Sequence, residues 1–276
     1  VGGNHMEPIL KIRNLSISFK QYEKGTKQRK IQTIRNLSLE ILPGQVAAVV
    51  GESGSGKSLL AHGILGILPY NSQMEGEILY DGRTLDKKRA EELRGREIAL
   101  IPQGVSWLDP LMKVGPQLFK GKRDAQTKAR YREALARYGL GPETEELYPF
   151  ELSGGMARRV LIASAVAEKP RLVIADEPTP GLDERTAVRI LGHFRELADE
   201  GAAVLLITHD LRLALTIADQ VTVFYNGETI EKASPEDFQD IRRLKAPFTK
   251  ALWAAMPEHD FKAAEIDGPG DVGGDA

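Results

Sequence analysis

Two hydrophobic rhythms divide this chain. Ile9–Phe19 and Thr33–Ile41 alternate apolar and polar residues, the mark of antiparallel strands with one covered face. Val46–Val50, Ile98–Ile101, Leu172–Ala175, Val204–Thr208 and Val221–Tyr225 are apolar almost throughout, as strands buried on both faces are. Gly76–Tyr80, closed by Asp81-Gly82, predicts another strand and a turn. Helical spacing takes over at Lys57–Leu68 and from Val114 to Phe150, most clearly around Ala129–Tyr138. It returns at Ala157–Ala167 and at Glu184–Glu200, where Val188, Leu191, Phe194 and Leu197 form an apolar stripe and Gly201 a stop. The pattern predicts an α/β core with a helical insert at about 104–170 and no internal repeat.

Composition narrows the classes. A chain of 276 residues suits one large or two modest domains, and 42% hydrophobic residues supply a core of useful size. Net charge is −2, so no bulk basic field points to nucleic acid. The absence of cysteine excludes disulfides, thiol catalysis and thiolate metal sites. No apolar run approaches the roughly 20 residues of a membrane span, and no signal peptide is visible, so a membrane role has to come through a partner. Val1–His5 reads as an expression remnant ahead of Met6, and Glu258–Ala276, rich in Gly, Asp and Glu, as a disordered tail. That leaves 6–257 as the folded domain. The charged stretch Gln21–Lys30 reads as a solvated hairpin loop.

The chemistry begins at Gly51-Glu52-Ser53-Gly54-Ser55-Gly56-Lys57-Ser58, which fits G-x-x-x-x-G-K-[ST] between a predicted strand and a predicted helix. Glycines let successive N–H groups turn toward phosphate oxygens, and the helix adds its positive end. Lys57 suits the β- and γ-phosphates and the Ser58 hydroxyl suits Mg²⁺. The nucleotide contacts expected here are Gly51, Ser53, Gly54, Gly56, Lys57, Ser58 and Leu59. A second part follows the strand Leu172–Ala175, which runs into Asp176-Glu177. Asp176 is expected to hold Mg²⁺ and Glu177 to polarise the attacking water, since phosphoryl transfer asks mainly for positioning and charge neutralisation. His209, after Val204–Thr208, suits the γ-phosphate and the support of Glu177, though a histidine there is as readily structural. Gln103 reaches either the metal or the water, or is an ordinary loop residue. Leu152-Ser153-Gly154-Gly155-Met156 opens a helix with an N-capping serine and two bare glycines. It is either a second anion site, facing a nucleotide held by another subunit, or a simple capped helix.

Taken together, these motifs resemble the nucleotide-binding subunits of ATP-binding cassette transporters across Ile9 to Pro257. Gly51–Ser58 is similar to the Walker A loop, Leu172–Asp176 to the Walker B strand with Glu177 as catalytic glutamate, and Gln103 to the Q-loop. Leu152–Met156 resembles the signature sequence, Pro180-Gly181-Leu182-Asp183 the D-loop and His209 the switch histidine. The resemblance implies a P-loop cassette with an antiparallel β subdomain and a small helical subdomain, binding ATP and Mg²⁺. It adds Ser153, Gly154, Gly155 and Asp183 to the nucleotide contacts. Phe19 falls where the family places the aromatic that stacks on adenine, with Tyr22 a rival and core packing an alternative role for Phe19.

A narrower similarity, to the peptide and nickel importer branch, lies in Tyr148–Met156, in Leu108-Asp109-Pro110 with Val114-Gly115, and in Ala246–Leu252 ending at Met256-Pro257. The chain departs from that branch at Ala157-Arg158-Arg159, where Arg-Gln-Arg is common, and at Pro180-Gly181 in the D-loop. The resemblance implies an ATPase on the cytoplasmic face of the membrane. Its implied partners are a second cassette subunit, transmembrane permease subunits and, indirectly, an extracytoplasmic substrate-binding protein. Trp107, Leu108, Leu111 and Met112 suit a permease socket or the filling between subdomains. A weakly hydrolytic partner of a paralogous cassette and a soluble non-transport ATPase remain as rivals, and the cargo is not written in the sequence.

Overall fold

A computed structural model describes residues 6–22, 28–52, 54–119 and 124–257. The leader 1–5, the hairpin tip 23–27, Ser53, residues 120–123 and the tail 258–276 lie outside the described residues, as do the side chains of 21, 22, 28 and 29, Tyr22 among them.

In chain order the strands are β1 (Leu10–Tyr22), β2 (Gln28–Ile41), β3 (Val46–Gly51), β4 (Ser72–Tyr80), β5 (Arg83–Thr84), β6 (Ile98–Ile101), β7 (Leu172–Asp176), β8 (Ala203–Thr208), β9 (Gln220–Tyr225) and β10 (Glu228–Ala233). The helices are α1 (Lys57–Ile64), α2 (Lys87–Leu93), α3 (Val114–Leu118), α4 (Ala125–Arg137), α5 (Gly154–Val166), α6 (Glu184–Asp199), α7 (Leu211–Leu215) and α8 (Pro247–Ala254). The strands join in the order β5-β4-β1-β2-β10-β9-β3-β8-β7-β6. One end is antiparallel, and β9, β3, β8, β7 and β6 run parallel. The register Val50↔Thr208 and Asp176↔Ile207 brings the carboxyl ends of β3, β8 and β7 level, so the loops that leave them meet at one edge.

Side-chain alternation on the parallel strands separates two cores. Val46, Ala48 and Val50 face one that includes Val160 and Ile162 of α5, Ile190 and Phe194 of α6, and Ala214 of α7. Ala47 and Val49 face the other, shared with Leu60 and Ile64 of α1 and with Ile12, Ile17 and Leu39 of the antiparallel strands. Burying each Leu, Ile or Phe of this kind contributes about 1.5–3 kcal/mol.

Several expectations shift. The helix after the phosphate loop stops at Ile64 rather than Leu68, because Gly66 takes φ +65° and reverses the chain. In α6 Val188 is exposed, and the buried stripe is Ala187, Ile190, Leu191, Phe194 and Leu197. Residues 114–150 are not continuously helical. Between α4 and α5 the chain makes tight turns at Pro142–Glu146 and Pro149–Glu151, where proline starts each turn and leaves no helical donor. The antiparallel pair runs on to Tyr22↔Gln28, so the loop expected across Gln21–Lys30 is narrower than its charge suggested. The Asp81-Gly82 turn stands as expected, with φ 50° and 69° joining Tyr80 to Arg83.

Candidate active site

The phosphate loop leaves β3 where only glycine fits. A Cβ on Gly51 would lie 2.1 Å from the Phe224 carbonyl oxygen of the neighbouring strand. Gly56 caps α1 with φ +91°, and a Cβ there would meet Thr33 Cγ2 at 2.5 Å. Lys57 opens the helix and is buried. Its ammonium donates to the Gly51 carbonyl at 2.8 Å and to that of Glu52, and reaches Ser55 Oγ at 3.3 Å. Burial holds the Lys57 pKa below its usual value, against the raising charges of Glu177, Asp176 and Glu52. The ammonium therefore sits where an anionic ligand would relieve its desolvation.

Asp176 ends β7, and both it and Glu177 are buried. Glu177 has φ +47°, a left-handed backbone that costs a glutamate about 1–2 kcal/mol. Its N–H donates to the Ile207 carbonyl at 2.8 Å, which holds the turn. Successive strand residues point to opposite faces. The left-handed turn breaks that alternation, and both acids line one cleft. Burial raises the Asp176 pKa, Glu177 adds to the rise, and the Ser58 hydroxyl opposes it. Asp176 Oδ1 is buried without a hydrogen-bond partner. His209 Nδ1 lies 3.0 and 2.9 Å from the two carboxylate oxygens of Glu177, and Thr208 Oγ1 donates to one of them at 3.4 Å. The outer half of the His209 ring is open to solvent, its side chain being 52% exposed.

A cleft of about 260 Å³ gathers Gly54, Gly56, Lys57, Ser58, Leu59, Gln103, Asp176 and Glu177, with Thr33 completing the wall. Eight residues singled out in the sequence thus meet in one place. Gly51 and His209 do not line it, the first being buried in β3 and the second braced on Glu177. Phe19 is not in the wall. It is half-buried against the core that holds Leu60 and Ile17. Ser153, Gly154, Gly155 and Asp183 are not in the wall either. Ser153 Oγ caps α5 by accepting from the Met156 N–H at 3.2 Å. Its turn is exposed, and a Cβ on Gly154 would meet nothing within 4 Å. Asp183 caps α6, accepting from Thr186 N at 2.9 Å and Thr186 Oγ1 at 2.6 Å.

Sequence reasoning missed two contributors. Thr33 gave no motif signal, although the bare Gly56 implied a close neighbour. Arg158 was noticed only as a departure. In the fold it is buried in α5 and donates to the carbonyls of Pro102 and Gln103. Beside this lies a groove of about 240 Å³ between β6, α3 and α5, where Leu108 and Trp107 form part of the lining. Leu108 is buried, whereas Trp107, Leu111 and Met112 are 58%, 88% and 43% exposed.

The ABC transporter family model matches residues 34–180. The chain is 37% identical to the oligopeptide transport ATP-binding protein OppD of Bacillus subtilis, over 93% of this chain and 74% of that protein. It is 35% identical to the dipeptide transport ATP-binding protein DppD of the same organism, over 95% and 80%. The ATP-binding cassette MJ0796, solved as a post-hydrolysis dimer bound to ADP and Pi, superposes with a TM-score of 0.71 at 28% identity, over 82% of this chain and 98% of that one. The structure of cbiO1 from Clostridium perfringens, part of the ABC transporter complex cbiONQ, superposes with a TM-score of 0.68 at 28% identity, over 89% and 98%. With sequence and fold matched over most of its length, the chain belongs to the ABC transporter family, among its ATP-binding cassettes.

Proposed function

We propose that the chain is an ATPase subunit that energises a peptide importer and works as a pair of cassettes. The observation that carries this is the split arrangement of its parts. Lys57, Ser58, Gln103, Asp176 and Glu177 converge on one cleft, while the Ser153-Gly154-Gly155 turn is not part of its wall and exposes Ser153 and Gly154. Two copies, or this chain and a paralogue, facing each other would each supply the turn that the other's nucleotide lacks.

Lys57 and the N–H groups of the phosphate loop bind the phosphates. Mg²⁺ fits the site, because the buried Oδ1 of Asp176 is unpartnered and the Ser58 hydroxyl is beside it. When bound, the ion neutralises charge on the transferring phosphoryl group. Gln103 orients groups at the wall of the cleft. Glu177 accepts a proton from the attacking water through a carboxylate steadied by His209 and Thr208.

The exposed Trp107, Leu111 and Met112 beside the α3–α5 groove form the docking site for a permease's cytoplasmic segment. This would hold the chain at the cytoplasmic face of the membrane, and an extracytoplasmic binding protein would deliver the cargo. The similarity to OppD and DppD supports peptides rather than nickel as cargo.

Glu177→Gln tests the core of this reading. It preserves volume and the contact with His209 but removes the proton acceptor. The variant should elute as a dimer in size-exclusion chromatography with ATP and Mg²⁺ and as a monomer without nucleotide. A variant that stays monomeric and hydrolyses ATP at the wild-type rate would refute the proposal.

A further inference from the structure

Arg158 has no role in the mechanism above, yet it is among the most constrained charged side chains in the fold. It is 6% exposed and forms no ion pair among the described residues. Its two terminal nitrogens instead donate to successive backbone carbonyls, 2.8 Å to Pro102 and close to Gln103. Burial lowers its pKa, and the charges of Asp176 and Glu177 oppose the shift. An arginine remains protonated through such a shift, so a full positive charge is held beside the acid pair.

The geometry makes the side chain a clamp. A planar guanidinium presents donors in a fixed fork, and two successive carbonyls caught by one fork fix the two peptide planes that meet at the Gln103 Cα. Together those planes set the direction in which the Gln103 side chain leaves the backbone. The loop is tied again further along, where Gln117 Nε2 donates to the carbonyls of Asp109 at 2.9 Å and Met112 at 2.6 Å. Arg158 lies on α5, which begins at the Ser153 turn. The helix that offers its N-terminus outward therefore also grips, a turn later, the loop that carries Gln103 into the cleft.

We propose that Arg158 is a positioning residue that locks the Gln103 loop to α5, so that Gln103 takes its place in the cleft only as α5 does. This rests on the ATPase reading above. A glutamine at 158 has a single amide nitrogen to offer and no charge. A lysine keeps the charge and a point donor but not the fork.

The test uses the full chain and four variants: Arg158→Gln, Arg158→Lys, Gln103→Ala, and Arg158→Gln with Gln103→Ala. Arg158→Gln should lower kcat for Mg²⁺-dependent ATP hydrolysis by roughly tenfold or more, with KM within about twofold, as for an interaction made in the transition state. Arg158→Lys should fall between it and the wild type. In the Gln103→Ala background Arg158→Gln should cost nothing further, because the clamp acts through Gln103.

A second readout needs no hydrolysis. The chain has 2 tryptophans, so Trp253→Phe leaves Trp107, four residues past Gln103, as the sole reporter. Adding Arg158→Gln should lower Trp107 fluorescence anisotropy while far-ultraviolet circular dichroism stays unchanged. Costs that multiply across the double variant, or an unchanged Trp107 anisotropy, would overturn the clamp. A wild-type chain without Mg²⁺-ATP hydrolysis, whose nucleotide binding is indifferent to Lys57→Ala, would instead overturn the ATPase reading. The anisotropy would still decide the clamp.

Discussion

Replacing Gly154 by alanine separates what a single subunit needs from what a facing subunit needs. In the isolated chain the change is benign. The added methyl meets no atom within 4 Å, and Gly154 is the first residue of α5 with no left-handed φ to strain. A glycine replaced at such a position gains about 0.4–1 kcal/mol from the smaller entropy of the unfolded chain, a rise in Tm of about 1–4 °C for a domain of this size. Binding of a nucleotide analogue to the cleft should not change, because Gly154 is not among its lining residues.

A facing triphosphate sees a different surface. A phosphate oxygen has to approach a backbone N–H to about 2.9 Å, and in the proposed pair of cassettes the new methyl would stand in that approach. One hydrogen bond to a charged group is worth about 1.5–3 kcal/mol, so steady-state hydrolysis should fall at least about tenfold. ATP should also fail to dimerise a Gly154→Ala, Glu177→Gln double variant in size-exclusion chromatography. A Gly154→Ala protein that melts at or above the wild-type temperature and hydrolyses ATP within about twofold of wild type would refute the reasoning, since nothing would then close on the α5 terminus.

Two further outcomes follow from the site. Asp176→Asn should abolish Mg²⁺-dependent turnover and yet stabilise the nucleotide-free protein, because burial raises the Asp176 pKa in the fold. A raised carboxyl pKa means the native state binds the proton more tightly than the unfolded chain. The destabilising charge is therefore present above the folded pKa and disappears as pH falls through it, so the gain in Tm should be full near pH 8 and vanish in acid. A gain independent of pH would contradict this. Trp107→Glu should sever the response of ATP hydrolysis to a permease while basal hydrolysis stays within about twofold, as expected for a half-exposed side chain outside the cleft. Equal loss of both activities, measured in proteoliposomes and in detergent-free solution, would return Trp107 to a packing role.

Most of the site could be read from sequence because its parts are contiguous and chemically literal. A phosphate loop needs glycines and a lysine in fixed order, and an apolar strand running into two acids needs no tertiary information to be noticed. The fully apolar strands were equally legible, since burial on both faces leaves no other pattern. Residues whose meaning lies in a distant neighbour escaped. Thr33 matters because β2 passes over Gly56, and Arg158 because α5 passes under the Pro102 and Gln103 carbonyls. The apolar Val188 reads as core by spacing, yet α6 is rotated so that Ala187 and Ile190 take the buried line. The strand β10 was not foreseen. Its sequence Glu228–Ala233 is polar because much of it is half-exposed at the join between the two parts of the sheet. Helix ends depended on single glycines such as Gly66, whose left-handed turn spacing cannot announce.

The left-handed backbone at Glu177 reaches beyond local strain. Because the kink lets neighbours in sequence share one cavity, the carboxylates proposed to hold the ion and to activate the water are separated by a single rigid amide. Any tug on the tip of β7 carries both off target together. On the proposed roles, cation and nucleophile would then gain or lose their alignment together, through one short lever.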